Sequence, residues 1–506
     1  MKKLWIRRIL WSSLIGLGIV ICGFLWADHE LNKVLGKSTR VIDLSSLIKP
    51  SPLVQIRNVN VLSEDCTHFM NNQDVLIKDG IILQLGTNQP VNKGASIIDG
   101  TGKYLIPGLV DSHVHVKESK NDLFLYLANG VTYIREMAGQ PVILEWRKAI
   151  RKSGLGPRMF VASPPIFSEA GVAGYYYGWT RHSVNYSNKK AAYQAIKKIK
   201  KQGYDAIKMY GFVNPEMFET TIQIADENNI PVIGHIPMVN LDAFFPSGQK
   251  EVAHIEEITV KTIDEFGKSI SKNPAEYLRF LKIRSHQIAK KLKENKVNVT
   301  STVWLCESFL AQRFDLKSKL KEIDLKYANP KIIEGTGLYK MGWLPGKNGY
   351  EYDGKDTPEA KKLSLTFWKT YVEAIHIMTK ALVDHHVPVM AGTDANVATA
   401  VPGFSLHNEL ESLSKSGMTN SQAIYSATVE PGLWMKSKTG KIKTGYHSDL
   451  VLLAKNPLND IRNTKTIEYV FFNNHVINKT QIKMILKSIE DANNENRNIE
   501  IGEYLK

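Results

Sequence analysis

Residues 106–116 read Ile106-Pro107-Gly108-Leu109-Val110-Asp111-Ser112-His113-Val114-His115-Val116. An apolar run ends in two histidines separated by one valine. Side chains two apart on a strand point the same way, so both imidazoles face one side. Alone, such a pair is weak evidence, because two histidines so spaced are more often surface or core residues. Weight comes from four further apolar runs, each with a residue able to bind a metal or approach one at or near its C-terminal end. These are Lys208 in Ala-Ile-Lys-Met-Tyr, His235 in Ile-Gly-His-Ile-Pro, His254 in Val-Ala-His-Ile-Glu and Asp394 in Ala-Gly-Thr-Asp-Ala. A barrel of parallel strands gathers its strand ends at one face, where such barrels carry out their chemistry. The five fragments therefore fit one metal site at the mouth of one barrel.

The rest of the chain has the rhythm this requires. Eight apolar runs alternate with stretches long enough for helices: Leu105–Val116, Val131–Met137, Arg158–Ser163, Tyr204–Tyr210, Pro231–Ile236, Glu251–Glu256, Val297–Val303 and Val387–Asp394. Near-continuous apolar strands alternating with helices predict a parallel sheet, and eight of them predict a closed α/β barrel of the TIM type over 105–439. The segment 304–386 is too long for one connection and reads as an insertion over the barrel mouth. Short strands separated by turn residues fill 53–104, and strands return from Gly440 to 485. Residues 28–52 read as a linker, the stretch 170–182 as a loop at the mouth, and 486–506 as a polar tail expected to be mobile.

These residues resemble the amidohydrolase superfamily, in its imidazolonepropionase-like and Xaa-Pro dipeptidase-like branch. The matching pieces span roughly 54–478. They are Pro107–His115, Gly130-Val131-Thr132 with Arg135, Ile207-Lys208, Gly234-His235, Ala253–Glu256, Gly392-Thr393-Asp394, Gly417-Met418-Thr419, and Gly445 with Asp449-Leu450. The resemblance implies a (β/α)8 metal-dependent hydrolase barrel with a small β-sandwich built from both chain ends, 53–104 and 440–485. It implies His113, His115, Lys208, His235, His254 and Asp394 as ligands to two divalent metals, with zinc suited to imidazole and carboxylate donors. It gives Lys208 a particular role. A buried unpaired ammonium is costly, and the plain alternative is a lysine whose amine reaches water. The resemblance implies instead that Lys208 takes up carbon dioxide as a carbamate that bridges the metals. It implies hydrolysis of an amide-type C–N bond by a metal-bridging hydroxide, with Asp394 as general base. The expected substrate is a dipeptide, an N-acyl amino acid or a cyclic amide. Lactone or phosphotriester hydrolysis on the same site is the alternative, and a non-catalytic binding protein with a degenerate site is a third reading.

Two departures bear on the substrate. Relatives often carry Gly-Gly-His where this chain has Tyr175-Tyr176-Tyr177-Gly178-Trp179, and Glu136 stands where they usually have Asp. Tyr177, Tyr210 and Arg135 are the expected substrate contacts, with packing as the plain reading for Tyr177; Arg135 and Glu136 are also expected to support the ligands from behind. His407 and Glu409 read as helix surface.

The chain has 506 residues, a formal net charge of +15 and 43% hydrophobic residues, the makeup of a folded protein larger than one ordinary domain. The basic excess reads mainly as solvated helix faces such as 197–201, with attraction to anionic lipid second. Nucleic-acid binding is not expected, because no basic stretch is interleaved with aromatics. A basic start at Lys2, Lys3, Arg7 and Arg8 precedes an uncharged run, Ile9–Ala27, near the ~20 residues that a spanning helix needs. It is expected to anchor the chain in a membrane with the remainder outside the cytoplasm. Cleavage as a signal after Ala27, giving a secreted protein, is the alternative. Cys66 and Cys306 read as free thiols, too few for a disulfide framework. The expected partners are a small-molecule substrate and the membrane, and a homo-oligomer is left open.

Overall fold

The computed structural model describes residues 2–352 and 357–505. Both chain ends contribute to one eight-stranded sheet. Its strands are β1 (Leu53–Leu62), β2 (Phe69–Lys78), β3 (Ile81–Gly86), β4 (Ser96–Asp99) and β5 (Tyr104–Pro107) from the first end. The second end supplies Leu450–Leu453, Ile467–Phe472 and His475–Asn478. Leu450 to Leu453 pair antiparallel with Pro107 to Tyr104, so the two ends meet at the centre of the sheet. Val54, Ile56, Val59, Val61, Leu450 and Leu452 fill the core on one face.

Between these ends lie parallel sheets. Strands β6 (Leu109–Val114), β7 (Val131–Glu136) and β8 (Arg158–Val161) form one, in sequence order. The other contains β9 (Ile166–Phe167), β10 (Val184–Asn185), β11 (Ile207–Met209), β12 (Val232–Gly234), β13 (Glu251–Ala253), β14 (Asn298–Thr300) and β15 (Val389–Met390). Every one of the eight apolar runs contains a strand of these two sheets; β9 and β10 are additional. The parallel strands β6 to β8 and β11 to β15 are almost entirely enclosed, whereas β10 is half-buried. That follows from helices covering the sheet. Isolated parallel bridges join the sheets' edges, Val114 to Ala395 and Ala162 to Ala206.

The covering helices are read from their caps. Helix Lys189–Gln202 starts where the Asn188 side chain accepts the Ala191 N–H and stops at Gly203, φ +88°. Ala192, Ile196 and Ile199 face the sheet, whereas Lys197, Lys198, Lys200 and Lys201 are exposed. The basic run is therefore a solvated face.

Several stretches differ from their sequence reading. Residues 28–52 carry Leu31, Val34, Ile42, Leu44 and Ile48 into buried positions. The expected loop at 170–182 is a helix, Gly171–Arg181. Gly174 lets it fold back on its own entry, since a Cβ there would lie 2.8 Å from the Glu169 carbonyl oxygen. The first part of the polar tail, up to Glu495, belongs to the helix Lys479–Glu495 and buries Ile489, Ala492 and Asn493, so it is packed and not loose. Within 304–386 the long amphipathic run is the helix Pro358–Asp384, and residues 353–356 lie outside the described set. At the other end, helix Lys2–Lys33 contains a span from Trp5 that is long and apolar enough to cross a membrane and has no buried part in its most apolar window.

Candidate metal centre

The site residues lie within the C-terminal half of parallel strands or a few residues past their ends. His113 is in β6 and His115 follows it, with their ring centroids 5.2 Å apart. Lys208 is the middle residue of β11. His235 follows β12, His254 follows β13, and Asp394 lies beyond β15. His115 Nε2 is 2.9 Å from Asp394 Oδ1 and His113 Nε2 is 3.6 Å from it. Lys208 Nζ sits 3.3 Å from His113 Nε2. The His254 ring lies 4.3 Å from His113 and 5.1 Å from His235, centroid to centroid. The six residues named from the sequence therefore share one cluster, and donor atoms of His113, His115 and Asp394 lie within 4.8 Å of one another, close enough for one metal ion.

The backbone bends to achieve this. His254 and Asp394 adopt positive φ, 73° and 55°. Such conformations are costly for residues other than glycine, and they are concentrated at functional sites. Two glycines give the side chains room. A Cβ on Gly234 would meet the Met209 carbonyl oxygen at 2.3 Å and Lys208 Cδ at 3.0 Å. One on Gly392 would lie 2.9 Å from His113 Cβ.

Supporting groups fix the imidazoles. His235 Nδ1–H donates to Glu257 Oε1 at 2.7 Å, leaving Nε2 free to accept. His254 Nδ1 bonds Thr302 Oγ1 at 3.0 Å. Glu136 accepts the Val116 N–H at 2.6 Å and stands 3.8 Å from His115 Nδ1. Asp111 accepts both the N–H and hydroxyl of Thr393, tying the Asp394 loop to β6. Glu257 and Thr302 were missed by sequence reading. Glu409, expected on a helix surface, is fully buried and accepts from Ser301 Oγ, Val303 N and Trp304 N. His407 is also buried, bonded to Thr464 and the Asn129 carbonyl. Cys66 and Cys306 are free thiols, as expected, and both are buried.

Electrostatics follow from burial. Desolvation lowers the Lys208 amine to about 8 against the pull of Asp394 and Glu251. It lowers His254 to about 3 and holds His113 well below the usual histidine range. Burial works against His115 too, but Asp394 and Glu136 overcome it and raise that imidazole to about 9. Burial also opposes the charged Asp394 carboxylate, yet His115 and His254 hold it below the ordinary range.

A divalent cation fits this donor set. Four imidazoles, a carboxylate and an amine of depressed basicity converge, and His113 Nδ1 and Asp394 Oδ1 are buried without a well-formed hydrogen bond.

The expected substrate contacts occupy different surroundings. The Tyr210 ring lies 4.3 Å from His235 and stacks on Phe167. Tyr177 stacks on the same Phe167 and on Phe212. Arg135 is fully buried: Nη2 donates to Glu251 Oε2 at 2.6 Å and the guanidinium lies over Trp434. It lies among protein groups, with no exposed surface.

Comparison with known proteins agrees with the geometry. The chain aligns over 84% or more of its length with solved structures of amidohydrolase fold. A bottromycin amidohydrolase superposes with a TM-score of 0.67 at 19% identity, covering 87% of this chain and 91% of that one. A putative prolidase from Bifidobacterium longum gives 0.61 at 17%, covering 87% and 100%. The chain has the amidohydrolase fold. Sequence likeness is local. The human dihydropyrimidinase-related protein 5 is 39% identical over 66 residues, 13% of this chain and 11% of that protein. The imidazolonepropionase of Kosmotoga olearia is 31% identical over 119 residues, 23% and 28% respectively. The chain thus matches about a tenth of the length of the first curated relatives. No family model matches it.

Proposed function

We propose that this amidohydrolase-fold chain is a metal-dependent hydrolase of an amide-type C–N bond, such as that of a dipeptide, an N-acyl amino acid or a cyclic amide. The observation that carries the reading is the convergence of His113, His115, Lys208, His235, His254 and Asp394 at one set of parallel strand ends. Those six would hold two divalent metals. The parallel sheets would form one barrel over 105–439, joined through the Val114–Ala395 and Ala162–Ala206 bridges. The sheet of the two chain ends would be the flanking β domain.

When bound, divalent cations supply a water of lowered pKa and polarise the scissile carbonyl. The residues do the remainder. Lys208, lowered to about 8, has free amine available near neutral pH. That neutral amine, formed when the ammonium gives up a proton, can add to carbon dioxide, forming an N–C bond and releasing a second proton; the cationic side chain becomes an anionic carbamate that could serve as a metal ligand. Asp394, held ionised, accepts a proton from the attacking water and hands it to the leaving nitrogen. Glu257 and Thr302 keep the two imidazoles oriented. The N-terminal helix would anchor the chain, with the positive residues at its start in the cytoplasm and the hydrolase outside.

The test combines metal analysis with a substrate panel. Full-length protein reconstituted with zinc and bicarbonate is expected to bind about two metals per chain. It should hydrolyse dipeptides, N-acyl amino acids or cyclic amides faster than lactones or phosphotriesters. Absence of bound metal sinks the binuclear site, and turnover of phosphotriesters or lactones alone replaces the C–N reading.

A further inference from the structure

The N-terminal helix is held against the folded body by side-chain contacts and not by a free tether. Phe24, near the end of its uncharged run, stacks on Trp179 at 4.8 Å. Trp179 Nε1 donates to Asp28 at 2.8 Å, and Glu30 accepts from Thr336 Oγ1 at 2.8 Å. A helix rises about 1.5 Å per residue, so Phe24 and Asp28 lie only about 6 Å apart along its axis. A bilayer crossed by this helix would therefore have its outer boundary at the level of helix Gly171–Arg181.

That helix and its neighbours are unusually apolar outside. Val172 is 87% exposed and Tyr175 84%, and Tyr176, Phe212, Leu338 and Met341 are also exposed. Asp28 holds Trp179 while Glu30, two residues on, accepts from Thr336 Oγ1 and the Gly337 N–H, so helix Gly171–Arg181 and the segment leading into 338–341 meet the same end of the N-terminal helix. Arg181 and Lys340, both exposed, supply positive charge at the same surface. Tyrosine and tryptophan with flanking cations are the side chains that suit a lipid–water boundary. The surface leads inward. Tyr177 and Phe212 stack on each other's flank at 6.5 Å, Phe212 lies 6.0 Å from Tyr210, and Tyr210 lies 4.3 Å from His235.

We infer that the surface formed by Val172, Tyr175, Tyr176, Phe212, Leu338 and Met341 rests in the bilayer that the N-terminal helix crosses, and that the metal centre draws its substrate from that bilayer. The substrate class is an amphiphilic amide with a long acyl chain, typified by a long-chain N-acyl amino acid. Its chain would lie along Tyr177, Phe212 and Tyr210. The inference rests on the membrane-anchored hydrolase reading.

The test uses the full chain in vesicles of phosphatidylcholine and phosphatidylglycerol. In a Cys22→Ser background, where Cys66 and Cys306 are buried, a fluorophore is placed through Tyr176→Cys or through Leu433→Cys. Leu433 is exposed on helix Val429–Trp434, whose Trp434 packs on Arg135 beneath the site. Lipids carrying a nitroxide in the upper acyl chain should quench the Tyr176→Cys label several-fold more than the other. Equal quenching overturns the docked surface. An N-acylglycine with a photoreactive group in its long acyl chain should crosslink to peptides from 171–181 or 207–214. Crosslinks confined to the N-terminal helix overturn the route. Neither readout needs metal or turnover. Protein that fails to float with vesicles defeats the anchor reading itself, whereas protein that floats with an unquenched Tyr176→Cys label defeats this inference alone.

Discussion

Replacing Asp394 by asparagine keeps the side chain's size and one coordinating oxygen but removes its ability to accept a proton. Metal content of Asp394→Asn should fall little while turnover falls roughly 10²–10⁴-fold, the usual worth of a positioned acid–base group. His113→Ala removes a donor nitrogen and should lower metal content and turnover together. Elemental analysis beside steady-state rates on one active substrate separates the two, and near-normal turnover in metal-loaded Asp394→Asn rules out the general-base role. Two things in the sequence single out the six site residues: each lies at or near the end of an apolar run, where a polar residue is out of place unless it has work to do, and the family resemblance implies them as ligands; the fold brings them into one cluster. Their supporters carry no such mark. Glu256 and Glu257 are adjacent and chemically alike, and only the turn from His254 into helix Ile255–Phe266 decides between them. It aims Glu257 at His235 and Glu256 at the Tyr371 hydroxyl. Glu409 was misread because a charged helical residue is normally solvated, and its burial depends on three donors from 301–304 that meet it only in the fold.

At the level of elements, the strands carry the site by ending abruptly. Gly234 shows the constraint: φ is +124°, and any Cβ would press on the Met209 carbonyl and Lys208. Gly234→Ala should destabilise the protein by roughly 1–3 kcal/mol, the scale of backbone strain at such positions, and should lower activity by displacing Lys208. Gly211→Ala is the comparison, because nothing lies within 4 Å of its Cβ position, and it should stay within about 0.5 kcal/mol of wild type. Thermal denaturation of both variants checks this, and equal melting temperatures would remove the steric argument. The alternation of apolar runs and helical stretches announced every main parallel strand. Helix Gly171–Arg181 was hidden because Gly171, Gly174 and Gly178 read as loop residues; in the fold Gly174 is the one whose missing Cβ lets the helix pack against its own entry at Glu169.

The molecule as a whole joins its two ends in one sheet, and composition could not say that Leu450–Leu453 would lie against Tyr104–Pro107. Such pairings depend on contacts far apart in sequence, whereas the 2.0 and 3.6 periodicities that the sequence exposes are local. Burying so much polar machinery also sets how stability responds to pH. Asp111, Asp122 and Glu409 are each raised to about 7, with burial the leading cause. For Glu409 the ordinary value is 4.5. Between that value and about 7 the folded chain keeps a proton that the unfolded chain has released. Stability from this group is therefore lost as pH rises through that window and levels off above it. Glu409→Gln cannot titrate, so the variant should lack this part of the slope while Asp111 and Asp122 continue to contribute theirs. Melting temperatures of metal-free protein, measured in steps from about pH 5 to 8 to bracket the linkage window, should fall more steeply for wild type than for Glu409→Gln. The difference between them should then become constant once the carboxyl has ionised in both states. Parallel curves across the window would mean that the three hydrogen bonds to Glu409 keep it ionised in the fold and outweigh its burial.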